Sequence, residues 1–157
     1  KNYIGIEVHK PGIGKLLGEI RSRSLENLRI IEGDAAPVLS NMIADASVSA
    51  FHEFFPDPWP KKRHYKRRLV QRPRTDLFAS KLEEGGYFYM VTDWSEYADF
   101  ALAELAATEG FVNAYEGFAE KKAWRPETKF EMRGIRAARE IRELYFIRYN
   151  GEFRKYF

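Results

Sequence analysis

Hydrophobic positions along this chain repeat with two different spacings, and the switches between them mark out its elements. Short apolar runs at residues 3–8, 28–32, 48–55 and 87–92 predict four strands, and residues 111–115 and 141–149 predict two more. Between them the spacing widens to that of a helix. Ile13, Leu16, Leu17 and Ile20 fall on one face of a helix over residues 13–23, after a turn at His9-Lys10-Pro11-Gly12. Pro37 suits the first position of a helix reaching to about residue 44. A helix over residues 75–84 is closed by Gly85-Gly86. Ser95 can cap the next, whose Ala98, Ala101, Leu102, Leu105 and Ala106 make one apolar face before Gly110. Residues 116–127 read as a polar loop and 129–140 as a last helix.

Strands separated by helical segments of this length imply βαβ units, hence an α/β fold with a mainly parallel sheet and helices on both faces. Ligands bind such sheets beyond the carboxyl ends of the strands. An acid stands at or just after four of those ends: Glu7, Asp34, Asp57 and Asp93. They are expected to converge on one edge of the sheet. A carboxylate such as Glu7 can accept two ribose hydroxyls at once, although a strand-tip acid can equally be a plain surface group. Asp34 could meet an adenine amino group, but capping the following helix is its simpler use. Gly12-Ile13-Gly14 and Gly18 lack the G-x-G-x-x-G spacing of a dinucleotide fingerprint. They read as a turn and helix start, and a NAD-type dehydrogenase has little support.

Composition narrows the class. The 157 residues suit one domain, and 45% hydrophobic with 31% charged residues is an ordinary globular balance. No apolar run is long enough to span a bilayer, so no membrane partner is expected. Zero cysteines exclude disulfides and thiolate metal sites, and three scattered histidines make no metal site; this suits a cytoplasmic protein. The net charge of +3 hides an asymmetry: from Lys61 to Arg74 there are eight Lys or Arg residues and no acid. Such a patch on a near-neutral chain is the footprint of a polyanion partner.

The most informative stretch is Phe54-Phe55-Pro56-Asp57-Pro58-Trp59-Pro60-Lys61-Lys62-Arg63-His64. Prolines on both sides of Asp57 restrict the backbone and hold its carboxylate in one direction. Trp59 offers a face for a base to stack on, or a hydrophobic plug. The basic residues follow directly, so a phosphate backbone bound there would lie beside the acid.

Together with Gly5-Ile6-Glu7-Val8-His9, Gly33-Asp34-Ala35, Thr92-Asp93-Trp94 and Thr128-Lys129-Phe130-Glu131-x-Arg133-Gly134, this stretch resembles the motif series of the bacterial tRNA (guanine-N7)-methyltransferases. The likeness runs from about Tyr3 to Tyr149 and implies a Rossmann-like class I methyltransferase fold. It implies S-adenosylmethionine (SAM) as methyl donor, no metal, and N7 of a variable-loop guanosine in tRNA as the acceptor. By the same resemblance Glu7, Asp34 and Asp57 contact SAM and Asp57 is catalytic. Lys61, Asp93, Thr128, Lys129, Phe130 and Glu131 contact the tRNA guanosine. Lys62, Arg63, Lys66, Arg67 and Arg68 are expected to neutralise RNA phosphates. The family carries a glycine-rich strand-turn-helix before its G-I-E-V-H strand, and this sequence starts at that strand. The expectation is therefore a single methyltransferase domain over residues 1–157 without that first strand and loop, and several tens of residues before Lys1 in the whole protein. A monomer or homodimer would serve. The competing class is a non-catalytic RNA-binding module derived from such an enzyme.

Overall fold

The computed structural model describes residues 1–151, so the last six residues of the expected domain lie outside the described part. The chain forms two compact units, residues 1–44 and 45 onward. The first holds strand β1 (Tyr3–Glu7), helix α1 (Lys10–Ser22), strand β2 (Leu28–Glu32) and helix α2 (Ala35–Met42). β1 and β2 pair in parallel from Tyr3↔Leu28 to Glu7↔Glu32, with α1 as the crossover. α1 starts earlier than the spacing suggests. His9 caps it, its Nδ1 accepting from Gly12 N at 3.2 Å, and Pro11 sits in the first turn, where a missing N–H costs nothing.

The second unit holds strand β3 (Val48–Phe54), a 3₁₀ turn (Lys62–Arg67), helix α3 (Arg74–Lys81) and strand β4 (Leu82–Thr92). Helix α4 (Ser95–Ala106), strand β5 (Phe111–Asn113), helix α5 (Lys129–Arg136) and strand β6 (Arg142–Arg148) follow. The sheet order is β3-β4-β6-β5, with β3 and β4 parallel and β6 antiparallel to both its neighbours. The α/β reading holds. The parallel part comprises β1–β2 and β3–β4, while the last strand, β6, reverses direction.

β4 lies between β3 and β6, and Phe88, Tyr89, Met90 and Val91 on it are completely buried. A strand covered on both faces reads as an unbroken apolar run, as this one does. α4 buries Tyr97, Ala98, Ala101 and Leu105, most of the expected face. Pro37 is the third residue of α2 rather than its first, and two further boundaries differ for physical reasons. Gly85-Gly86 does not end α3; it lies inside β4, where the pairing shifts between Val48 and Ala50. Gly85 takes φ 78°, and a Cβ on Gly86 would come within 3.0 Å of the Ser49 carbonyl oxygen. The pair is thus a bulge. Nor does Ser95 cap α4: Trp94 holds the cap position, its N–H donating to Thr92 Oγ1 at 3.1 Å.

Candidate active site

In the first unit, Glu7 and Asp34 meet at the carboxyl end of the β1–β2 pair. The Glu7 carbonyl accepts from Gly33 N at 3.1 Å, which brings Asp34 beside the tip of β1. Glu7 Oε1 accepts from Val8 N at 2.8 Å and His9 N at 2.9 Å, so the exposed carboxylate is held in one orientation. Asp34 stands at the cap position of α2 but makes no capping hydrogen bond. The capping role that its position suggests is not taken up.

In the second unit, the loop after β3 is pinned at its start by Phe55 N donating to the Val91 carbonyl at 2.7 Å. Phe55 and Trp59 both adopt left-handed backbone, φ 54° and 43°, a strain on the order of 1–3 kcal/mol each for residues with a Cβ. Between them Asp57 is exposed, and its Oδ1 accepts from Trp59 N at 3.1 Å. That bond turns the chain and fixes the carboxylate. Trp59 is half-buried: His64 meets it edge-on at 5.7 Å and the Arg67 guanidinium lies 5.0 Å from its ring centre.

Arg68 corrects the sequence-based expectation. The basic run groups it with the phosphate-binding residues, yet its side chain has 0% exposure. Its Nε donates to the Pro58 carbonyl at 2.8 Å, its terminal nitrogens form a two-pronged pair with Glu96, and its plane lies over Tyr65 at 3.8 Å. A guanidinium so enclosed cannot reach a phosphate; it braces the Asp57 loop from inside. The hydrogen bond from Arg68 holds the Glu96 carboxyl below its usual range against the opposing effect of burial. Arg72 and Arg74 also make protein contacts, the Arg72 Nε and Nη2 donating to Glu104 and Arg74 Nη1 to the Lys66 and Arg68 carbonyls. Lys61, Lys62, Arg63, Lys66 and Arg67 remain exposed.

Asp93 follows β4, and its Oδ2 is 2.9 Å from Arg139 Nε. It lines an open depression of about 470 Å³ with Trp94, Ser95, Glu96, Ala138, Arg139 and Glu140. α5 approaches both the Asp57 loop and Asp93. Phe130 stacks against Phe55 with ring centres 6.4 Å apart, and a Cβ on Gly134 would fall 2.9 Å from Asp93 Oδ2. The Asp57 loop, Asp93 and the Thr128–Gly134 segment are therefore neighbours in one unit.

Within that segment Thr128 caps α5, its Oγ1 accepting from Glu131 N at 3.2 Å, while Lys129 and Phe130 are exposed. Glu131 has 4% side-chain exposure, with Oε2 2.7 Å from Arg125 Nη1 and Oε1 3.1 Å from Nη2 and 3.3 Å from Lys121 Nζ. With three of its acceptor sites taken and 4% exposure, this carboxylate is turned inward rather than offered at the surface. Arg125 also donates Nε to Glu143 Oε1 at 3.0 Å. Glu143 in turn bonds Tyr89, whose hydroxyl is pushed up to about 12, first by burial and then by that bond. Sequence patterning gives no sign of this buried network, because its centre, Arg125, lies in a stretch with no periodicity.

Comparison with known proteins decides the family. Residues 1–144 match the family model described as "Putative methyltransferase". The chain belongs to that methyltransferase family. It is 53% identical over 94% of its length to the tRNA (guanine-N(7)-)-methyltransferase of Treponema pallidum, and 49% identical over 94% to that of Nitrosomonas europaea. It spans 58% and 66% of those two relatives. An rRNA methylase of Streptococcus thermophilus superposes with a TM-score of 0.60 at 12% identity, covering 95% of this chain and 74% of that one. The fold is that of the class I SAM-dependent methyltransferases, as the motif series implied.

Proposed function

We propose that this chain is part of a tRNA (guanine-N7)-methyltransferase using SAM as methyl donor. What supports the reading most is the pinned, exposed Asp57 beside Asp93 and α5, with basic residues directly after it, in a chain about half identical to relatives bearing that name. Both units are proposed to be parts of one methyltransferase domain, because one family model runs through both. A tRNA substrate suits a cytoplasmic protein.

The residues present suit the donor. Glu7 presents a fixed carboxylate to ribose hydroxyls, and Asp34 an acceptor that its helix leaves unused. Bound SAM supplies the methyl group, activated on a positively charged sulfur. Guanine N7 carries a free lone pair, so no general base is needed. The protein's task is alignment, exclusion of water and stabilisation of the charge that moves onto the ring. Asp57, turned by its bond from Trp59 N, is the proposed catalytic residue: a fixed anion beside the ring favours the developing guanine cation. Asp93 is proposed to accept from the guanine N1–H and amino group. Lys129 and Phe130 offer the exposed surface of α5's first turn to the same nucleotide, and Glu131 holds that turn through Arg125. Lys61 is proposed to contact the substrate beside Asp57, and Lys62, Arg63, Lys66 and Arg67 to neutralise flanking phosphates.

The test is direct. Purified protein, SAM and unmodified tRNA are combined, and digested tRNA is examined by mass spectrometry for 7-methylguanosine. Its appearance at one variable-loop position supports the reading, and binding of tRNA without methylation would replace it with a non-catalytic one.

A further inference from the structure

We infer that Arg139 is a positioning residue for base recognition, acting through Asp93. This rests on the reading of Asp93 as a guanine contact. Arg139 stands where α5 ends. The N–H of Ala138 donates to the Ile135 carbonyl at 2.9 Å and that of Arg139 to the Gly134 carbonyl at 2.9 Å, with Ala138 at φ 57°. This pair of bonds around a left-handed residue is the closed helix ending that fixes the direction of the outgoing chain. It is normally built on glycine, and an alanine holds it here, so the arrangement is kept against local strain.

The ending delivers the Arg139 guanidinium to Asp93, with Nε 2.9 Å from Oδ2. From the same helix Gly134 closes on the Asp93 side chain so tightly that no Cβ fits between them. Asp93 is thus held by two residues five positions apart, one by packing and one by charge, and the ion pair with Arg139 falls on Oδ2 rather than Oδ1. The other acids around the depression are occupied: Glu96 by Arg68 and Glu140 by Arg142, both at 3.1 Å. Arg139 therefore serves Asp93, fixing which oxygen is offered to a base. Its side chain is 39% exposed, and among the described residues no other basic side chain lines the depression, which sets it apart from the Lys61–Arg67 run.

The experiment is a double-mutant cycle on methylation by the full protein with tRNA and SAM. Arg139→Ala is expected to raise KM for tRNA about tenfold, as for loss of the ion pair that orients Asp93, with SAM affinity and melting temperature near the parent's. Arg139→Lys should recover part of that affinity. In an Asp93→Asn background Arg139→Ala should add little, because its effect runs through Asp93. Full additivity, or parental KM in Arg139→Ala while Asp93→Asn is impaired, overturns the inference alone. Parental kinetics in Asp93→Asn overturn the reading of Asp93 as well.

Discussion

Arg68 lies with its Nε 2.8 Å from the carbonyl oxygen of Pro58, the residue next to Asp57. The cation that sequence alone assigns to RNA is the internal brace of the loop that presents the proposed catalytic acid. Its two-pronged pair with Glu96 and its stacking on Tyr65, Tyr97 and Phe100 need a planar guanidinium. Arg68→Lys should therefore lower stability by about 2 kcal/mol, and Arg68→Glu should abolish folding. Reversing exposed Arg67 or Lys66 should leave the melting temperature within about one or two degrees, as surface substitutions usually do. It should instead weaken tRNA binding and reduce its salt dependence by about one unit of slope for each phosphate no longer neutralised. Thermal melts and salt titrations on the same variants check both halves.

Gly134 sets two opposing effects against each other. Replacing a helical glycine by alanine ordinarily stabilises by about 1 kcal/mol. Here the new methyl would meet Asp93 Cβ and Oδ2 at 2.9 Å, and Asp93 can yield only by leaving Arg139. The clash should win. Gly134→Ala is expected to be less stable than the parent by roughly 1–2 kcal/mol and to bind tRNA more weakly. A more stable protein with unchanged KM would show that Asp93 moves freely.

The Glu131–Arg125 pair makes an acid-side prediction. The hydrogen bond from Arg125 is the largest influence holding the Glu131 carboxyl below its ordinary value of 4.5, and burial opposes it. A depressed folded-state value means the stabilisation is fully present above the unfolded value and is lost as pH falls through the folded one. The pair should thus support the fold at neutral pH and weaken as the pH drops below 4.5. Glu131→Gln should cost about 2 kcal/mol at neutral pH, leaving Arg125 buried with Glu143 as its remaining acid, and the deficit should shrink at low pH. Chemical denaturation at several pH values measures it. A deficit constant with pH would mean that packing, rather than charge, is what the substitution removes.

Much of this is legible in the chain, and the misses share a cause. The strand runs at residues 28–32 and 48–54 and the α4 face declare themselves because burial on one side forces a period. The direction of β6 does not, since the apolar run within Arg142–Arg148 reads alike in either orientation. Gly85-Gly86 reads as a helix stop because glycine signals a break without saying whether the break lies in a helix or a strand. The acids at the strand ends are visible through the order of the elements. What each charge pairs with is not: Arg68 meets Glu96 28 residues away, and Arg125 meets Glu131 and Glu143 at separations of 6 and 18, while composition treats them all as exposed.

Asp57 is the residue on which methyl transfer is proposed to depend most. Its carboxylate is exposed and fixed by a backbone hydrogen bond from Trp59, so Asp57→Asn keeps the size and the turn while removing the charge. The decisive measurement is single-turnover formation of 7-methylguanosine in tRNA by parent and Asp57→Asn, with folding verified by melting temperature and tRNA binding by titration. The expected result is an unchanged fold, near-parental tRNA affinity and a rate lower on the order of a hundredfold or more. A rate within a few-fold of the parent would contradict it.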